Sequence, residues 1–405
     1  MQPRVIDLKE YEPFRLPKDG LAEDLGVAML TSYKDQVNVD FPTPKTGGQW
    51  VLTSQGWVGM IPLSQDLRLA LRPKVPLGNL FGMLEYAYHL KSLKFLEGLH
   101  DCASLTEFYE RLAHVLALRI LDRGRKGFYR AYEPESERLP YVRGRMDATR
   151  LARSPWDTKM LCHYHEHTAD VEENQLLAWT LFCIGRSGIC TERVSPTVRR
   201  AYRGLQGLVS IEPFEPRDCV GRSYDRLNSD YQPMHALCRF FLDHSGPHIE
   251  TGGHRMLPFL VDMERLYEVF VAEWLRAHLP HELTMETQHS ESVGPGSPLN
   301  LKMDIVIADA ATGEVRYVLD TKYKSPDHPS GDDFSQIHTY AALKTCRNAV
   351  LVYPAQLARQ LDVTRRDIRV RSLTFSLGGD IEQAGAAFLA ALTSSARGST
   401  TTSVE

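Results

Sequence analysis

Apolar positions along the chain follow two periods, and the change from one to the other divides it. In the first eighty residues the apolar stretches are short: 50–52 and 57–61 are runs separated by turn residues, and Leu67, Leu69 and Leu71 alternate with Arg68, Ala70 and Arg72. Period two places alternate side chains on opposite faces, so this part is predicted to be β-rich. Pro73 and Pro76 end the last strand, because proline cannot donate to a ladder. From about Leu77 to Arg200 the spacing changes to three and four, with Leu80, Leu84, Ala87 and Tyr88 on one stripe and Leu112, Val115, Leu116 and Ile120 on another. That spacing predicts helices, interrupted at 186–191 and 204–216. A further amphipathic stretch covers 234–242, and the glycine-flanked segment 246–253 reads as a linker.

The last third is the most strongly patterned. Met263, Leu266, Tyr267, Phe270, Val271, Trp274 and Leu275 lie on one helical stripe, which predicts a helix packed on a sheet. Residues 302–308 then read as a strand, 311–314 as a turn, 316–323 as a second strand, 334–346 as a helix and 348–353 as a third strand. The expected class is α+β multidomain. A β-rich N-terminal domain (1–78) precedes a mainly helical middle region (79–250) and a mixed α/β C-terminal domain (251–393). The small polar tail, 394–405, has no periodicity and is expected to be disordered.

Composition narrows the chemistry. The 405 residues carry 47 Lys and Arg against 51 Asp and Glu, a formal net charge of −4, which excludes a wholly basic coat for nucleic acid but not a local basic face. The longest apolar run, 384–392, is too short to span a bilayer, and 1–10 contains no apolar core of a signal peptide. A cytoplasmic protein without membrane association is expected. Seven scattered cysteines with no C-x-x-C pair disfavour a disulfide framework, a zinc ribbon and a four-cysteine cluster. Neither a G-x-x-x-x-G-K-[ST] phosphate loop nor a G-x-S-x-G elbow occurs, so any nucleotide hydrolysis must come from elsewhere.

Asp304 interrupts the apolar strand Met303-Asp304-Ile305-Val306-Ile307, where an unpaired carboxylate costs several kcal/mol of desolvation. Asp320 ends the next strand and is followed by Thr321 and Lys322. In a regular strand Asp320 and Lys322 project together and Thr321 points away. Two carboxylates converging across a hairpin suit a hard divalent cation such as Mg²⁺, with water completing the shell. Such an ion polarises a phosphate and acidifies water, while Lys322 orients the nucleophile and offsets developing charge. The plain alternative is an Asp320–Lys322 ion pair that closes a strand. Gln336 and Tyr340, at i and i+4 on the following helix, share a face that can point at the same place.

These residues resemble the PD-(D/E)xK nuclease core, with Asp304, then Asp320 and Lys322 as its D-x-K, and Gln336 and Tyr340 as its Gln-x-x-x-Tyr. Glu268 on the preceding helix resembles the helical acidic residue of that core, although Glu264 lies one turn earlier. Upstream, Arg72-Pro73-Lys74-Val75, Met83-Leu84-Glu85-Tyr86, Arg143-Gly144-Arg145-Met146-Asp147, Asp170-Val171-Glu172-Glu173-Asn174 and the run 263–271 are similar to the McrC subunit of modification-dependent (5-methylcytosine-specific) restriction systems. The resemblance spans roughly 67–353; Glu264 stands where an Asn is usual, and the first eighty residues match only loosely. It implies a C-terminal restriction-endonuclease-like domain cutting double-stranded DNA that carries modified cytosine, with Mg²⁺, or Mn²⁺ in its place. It also implies an N-terminal part that docks on an AAA+ ring resembling McrB, which binds the GTP and whose GTPase this chain stimulates. A non-catalytic activator of such a ring and a stand-alone repair nuclease are the competing readings.

Two further groups invite a role. His163, His165 and His167 share one face if they lie on a strand, but no fourth ligand accompanies them. Arg119, Arg123, Arg125, Lys126 and Arg130 form one basic cluster, and Arg143, Arg145, Arg150 and Arg153 another. Arg143 and Arg145 flank a glycine that permits a tight backbone, which makes them the sharper candidates for phosphate contact.

Overall fold

The computed structural model describes residues 4–64, 66–90, 104–153, 156–245, 249–251, 254–256, 258–292, 300–324 and 326–394. Two compact units divide the chain: Met1–Leu105 with Leu260–Glu405, and Thr106–Phe259. The first and last parts of the sequence therefore share one unit.

In the first unit the alternating leucines form the strand Leu67–Arg72, which pairs in parallel with Arg4–Lys9 and antiparallel with Trp57–Pro62. Leu69 and Leu71 are buried, as their period predicts. A second, antiparallel sheet orders Phe14–Leu16, Trp50–Ser54 and Val37–Asp40. Trp50 is its anchor: the indole packs on Phe41, 4.7 Å between centroids, and its Nε1 donates to the Lys18 carbonyl at 3.0 Å.

The C-terminal part of this unit is built on a six-stranded sheet ordered Leu283–Ser292, Asn300–Asp309, Val315–Thr321, Asn348–Tyr353, Ile368–Thr374, Asp362–Arg365. The first three run antiparallel as a meander. Val315–Thr321 and Asn348–Tyr353 run parallel, joined across the helix Gly331–Leu343. Ile337, Tyr340 and Ala341 of that helix close a core with Met303, Val306, Val318, Leu351 and Tyr353. The helix Met263–His278 buries the predicted stripe, Trp274 and Phe270 packing on Phe375 at 5.3 and 4.9 Å. The expected helix, hairpin, helix and strand are thus present, and Leu283–Ser292 adds an unpredicted edge strand.

The second unit holds the helices Glu172–Ser187, Ser195–Leu205 and Tyr231–Asp243 and most of Leu105–Lys126. It is not as helical as the sequence suggests, since Ala131–Leu139, Met160–Thr168 and Arg145–Met146 form a three-stranded antiparallel sheet. The first of these strands, AYEPESERL, is exposed over most of its length, so it has no apolar alternation to betray it. The linker expected at 246–253 falls partly outside the described residues; within it, Ile249–Thr251 pairs with His254–Met256. The tail expected to be disordered lies outside them beyond Ser394. Six described cysteines are free, all but Cys190 buried, and among the described residues no helix is long and apolar enough to cross a membrane.

Candidate active site

The hairpin of Asn300–Asp309 and Val315–Thr321 pairs Ile305 with Leu319, so Asp304 and Asp320 stand one step beyond that pair, on adjacent strands. Asp320 is buried, and its Oδ2 lies 2.8 Å from the Lys322 ammonium. The approach satisfies charge but not direction: Oδ2 is closed from solvent and has no well-aligned hydrogen bond. Burial, reinforced by the charge of Asp304, pushes the Asp320 carboxyl up to about 7 against the pull of Lys322. Burial works against the Lys322 charge, but Asp320, Asp333 and Asp304 outweigh it and hold the ammonium above its ordinary value.

Lys322 also donates to Gln336 Oε1 at 3.1 Å, and Gln336 Nε2 donates to the Tyr340 hydroxyl at 2.7 Å. Helical spacing explains the second bond, since i and i+4 are neighbours on one face. The four residues Asp320, Lys322, Gln336 and Tyr340 therefore form one relay from sheet to helix. Thr321 does not stay off the site. Its amide and hydroxyl both donate to Asp304 Oδ2, at 2.7 and 2.8 Å, because the pairing with the Asp304 strand stops at Ile305–Leu319 and leaves the Thr321 amide to that carboxylate.

Of the two helical acids, Glu268 is the one beside this hairpin. It is half-buried, and burial together with the Asp304 charge raises its carboxyl, whereas Glu264 is exposed and acts electrostatically on Tyr11. Gln288 Nε2 donates to Glu268 Oε1 at 3.2 Å. Among the described residues no three His, Cys, Asp or Glu side chains are gathered in a ligand set. What the hairpin offers is two carboxylates, one with a buried oxygen short of a partner. Oxygen-only donors, adjacent like charge and an unsatisfied lone pair fit a hard divalent cation that keeps much of its water.

A second layer escaped the sequence reading. Lys324 pairs with the buried Asp333 at 2.7 Å, Tyr353 donates to Asp333 at 3.3 Å, and Asp333 closes a capping box with Ser330 at the start of the Gln336 helix. The legible signal was Ser330-x-x-Asp333 ahead of an apolar stripe. By fixing where that helix begins, the box sets where Gln336 and Tyr340 stand.

The other candidates lie in the second unit. His163, His165 and His167 share the exposed face of their strand, but His163 bonds the Ser136 hydroxyl and His167 stacks on Tyr132. Arg143 lies over the Tyr164 ring at 3.8 Å and pairs with Glu166 at 3.6 Å, while Arg145 is exposed. Gly144 between them has φ 69°, and a Cβ there would collide with the His163 carbonyl. In the other cluster Arg123 pairs with Asp230 and Lys126 with Asp122. The Arg150 side chain is outside what is described. A cavity of about 590 Å³ in this unit is lined by Glu133, Glu135, Glu166, Asp170, Glu172, Glu173 and Arg222; walls so rich in carboxylates repel a phosphodiester.

A family model described as McrBC 5-methylcytosine restriction system component matches residues 52–354, a span that contains the hairpin, the Gln336 helix and Glu268. The Type IV methyl-directed restriction enzyme EcoKMcrBC of Escherichia coli (strain K12) is 22% identical over 214 residues, and the match covers 51% of this chain but only 61% of that relative. Among solved structures, a chain of the refined half-complex from the tetradecameric assembly of Thermococcus gammatolerans McrB AAA+ hexamers with bound McrC aligns over 96% of this chain and 100% of its own. Its TM-score is 0.56 at 17% identity, a likeness of fold. A chain of the Thermococcus gammatolerans McrBC complex covers 67% of this chain and 87% of its own, with a TM-score of 0.42 and 16% identity.

Proposed function

The chain belongs to the McrBC 5-methylcytosine restriction system component family, and from that premise we propose that it is the McrC-type nuclease subunit of a GTP-driven complex that hydrolyses double-stranded DNA carrying modified cytosine. The observation that carries this reading is the Asp304–Asp320 pair with its undersatisfied Oδ2 beside an ammonium that is itself tied to Gln336. A purely structural ion pair would need neither the like charge of a second carboxylate beside it nor the unsatisfied oxygen, and the latter is a standing cost in a buried place.

Asp304 and Asp320 would hold Mg²⁺, or Mn²⁺ in its place. A cation bound there supplies charge to polarise the scissile phosphate and lowers the pKa of water. Lys322, oriented by Gln336 and through it by Tyr340, positions the attacking water and offsets charge developing on the phosphate. Thr321 fixes the Asp304 carboxylate so that one of its oxygens stays committed to the protein. Glu268 completes the acidic side of the site from the helix.

A partner is part of the proposal. The Thermococcus gammatolerans assembly that contains a chain of this fold holds McrB AAA+ hexamers with bound McrC. The sequence here lacks a phosphate loop of its own, so GTP is assigned to a ring of that kind, with the N-terminal part of this chain as its docking surface and activator. Reconstitution with that partner tests the reading. Cytosine-methylated duplex should be cut with GTP and Mg²⁺, survive when the divalent ion is chelated, and be cut again on adding Mn²⁺. Cleavage that persists in chelator would exclude it.

A further inference from the structure

Gln288 is anomalous for its place. It lies within the edge strand Leu283–Ser292 yet has φ 51°, the left-handed region that residues with a Cβ rarely adopt. The other described non-glycine residues with positive φ, Tyr11, His89, Thr345, Arg366 and Asp367, all fall outside regular strands. The ladder pairs Thr287 with Ile305 and His289 with Met303, and passes over Gln288 and Asp304 between them. The backbone thus leaves its strand conformation directly opposite the first carboxylate of the hairpin. From there the carboxamide donates to Glu268 Oε1 at 3.2 Å.

We propose that Gln288 is a positioning residue of the nuclease site, its left-handed backbone aiming the carboxamide so that Glu268 is held beside Asp304. The proposal rests on the assignment of the Asp304–Asp320 pair as the cation site. Strain in a strand persists only where the surroundings enforce it, and it concentrates at functional sites. Glycine, or asparagine with its short amide, is the cheaper occupant of a left-handed position. A side chain long enough to span to the neighbouring helix is what glutamine adds. The rest of the edge strand pairs regularly on either side, so no turn or bulge accounts for the conformation. Loss of a hydrogen-bond partner of a metal-ligating side chain typically costs ten- to a hundredfold in ion affinity, and for a carboxylate held beside the ligands the lower end of that range is expected.

Gln288→Gly separates backbone from side chain, since it suits φ 51° while removing the amide. The full chain should melt at or above the wild-type temperature in chelator. It should nevertheless bind Mn²⁺, followed by the electron-spin-resonance signal of the free ion, about tenfold more weakly. Gln288→Ala should weaken binding equally but also lower the melting temperature. Combining Gln288→Gly with Glu268→Gln should add nothing to the binding loss of Glu268→Gln alone. Unchanged Mn²⁺ affinity in Gln288→Gly, or additive losses in the double variant, would overturn the proposal. Asp304→Ala, run in parallel, keeps the two failures apart: if it binds Mn²⁺ as the wild type does, the cation site itself is misassigned.

Discussion

The two compact units each hold a polar cluster with a buried member, Asn174 in one and Asp320 in the other, and they satisfy it in opposite ways. In the second unit, Asn174 Nδ2 donates to the carbonyls of Tyr129 and Ala169 at 2.8 and 2.7 Å, and its Oδ1 accepts from Tyr231 at 2.6 Å. His235 bonds the Tyr224 hydroxyl at 2.8 Å and lies 3.0 Å from the Glu173 carbonyl. These groups are neutral and matched donor to acceptor, which is how a polar cluster specifies a core at little net cost. In the first unit, Asp304, Asp320 and Lys322 bring two like charges together around one cation and leave Asp320 Oδ2 short of a bond. One cluster is matched within itself, and the other is the one proposed to take a ligand.

The largest effects are expected when a charge is removed from one cluster and a hydrogen-bonding amide from the other. Asp320→Asn should reduce DNA cleavage by the reconstituted complex by on the order of a hundred- to a thousandfold. In chelator it should raise the melting temperature of the first unit, because a repelled buried carboxylate becomes a neutral amide. A fall in melting temperature would mean that the carboxylate is already well satisfied. Asn174→Ala should do the reverse, costing the second unit about 3 kcal/mol, since two buried carbonyls and the Tyr231 hydroxyl lose their partner. The urea midpoint measures it, and a loss under about 0.5 kcal/mol would place the network among dispensable surface contacts.

The clusters should also respond to pH with opposite slopes. Burial first of all lowers the His235 imidazole to about 4. A depressed histidine binds fewer protons folded than unfolded between about 4 and 6.5, so the second unit loses stability as pH falls through that window, by about 3 kcal/mol in all. Asp320, raised to about 7, binds more protons folded than unfolded between about 4 and 7. Its contribution is therefore present at low pH and lost as pH rises toward 7 in the absence of divalent ions. Amide hydrogen exchange resolves the two units, and parallel slopes would refute the contrast. The smallest effect is expected at Gly144→Ala, where φ 69° and the nearby His163 carbonyl should cost about 1–3 kcal/mol, read by the same exchange as a loss of protection confined to the pairing of Arg145–Met146 with Met160–Thr168.

Much of this was legible in the sequence, unevenly. The C-terminal elements followed from strong periodicity: Met263–His278, the Asp304 hairpin and Asn348–Tyr353 all lie where apolar spacing puts them. Asp304 and Asp320 were conspicuous because a carboxylate in an apolar run demands an explanation. The Ala131–Leu139 strand was invisible, because a strand exposed on both faces carries no alternation. Thr321 was misjudged, since alternation of faces says nothing of where the ladder to the Asp304 strand stops, and past Ile305–Leu319 the Asp304 carboxylate takes the Thr321 amide and hydroxyl. Gln288 could not be found from sequence, because nothing in Thr287-Gln288-His289 announces a left-handed glutamine.

The Asp304–Asp320–Lys322 hairpin is proposed as the cutting centre, with activation of the partner placed elsewhere in the chain. The most direct measurement pairs two readouts on one sample: DNA cleavage and GTP hydrolysis by the AAA+ partner reconstituted with Asp304→Ala or Lys322→Ala. Cleavage should be abolished while GTPase stimulation remains at the wild-type level. Cleavage at the wild-type rate in either variant would contradict the assignment of the site.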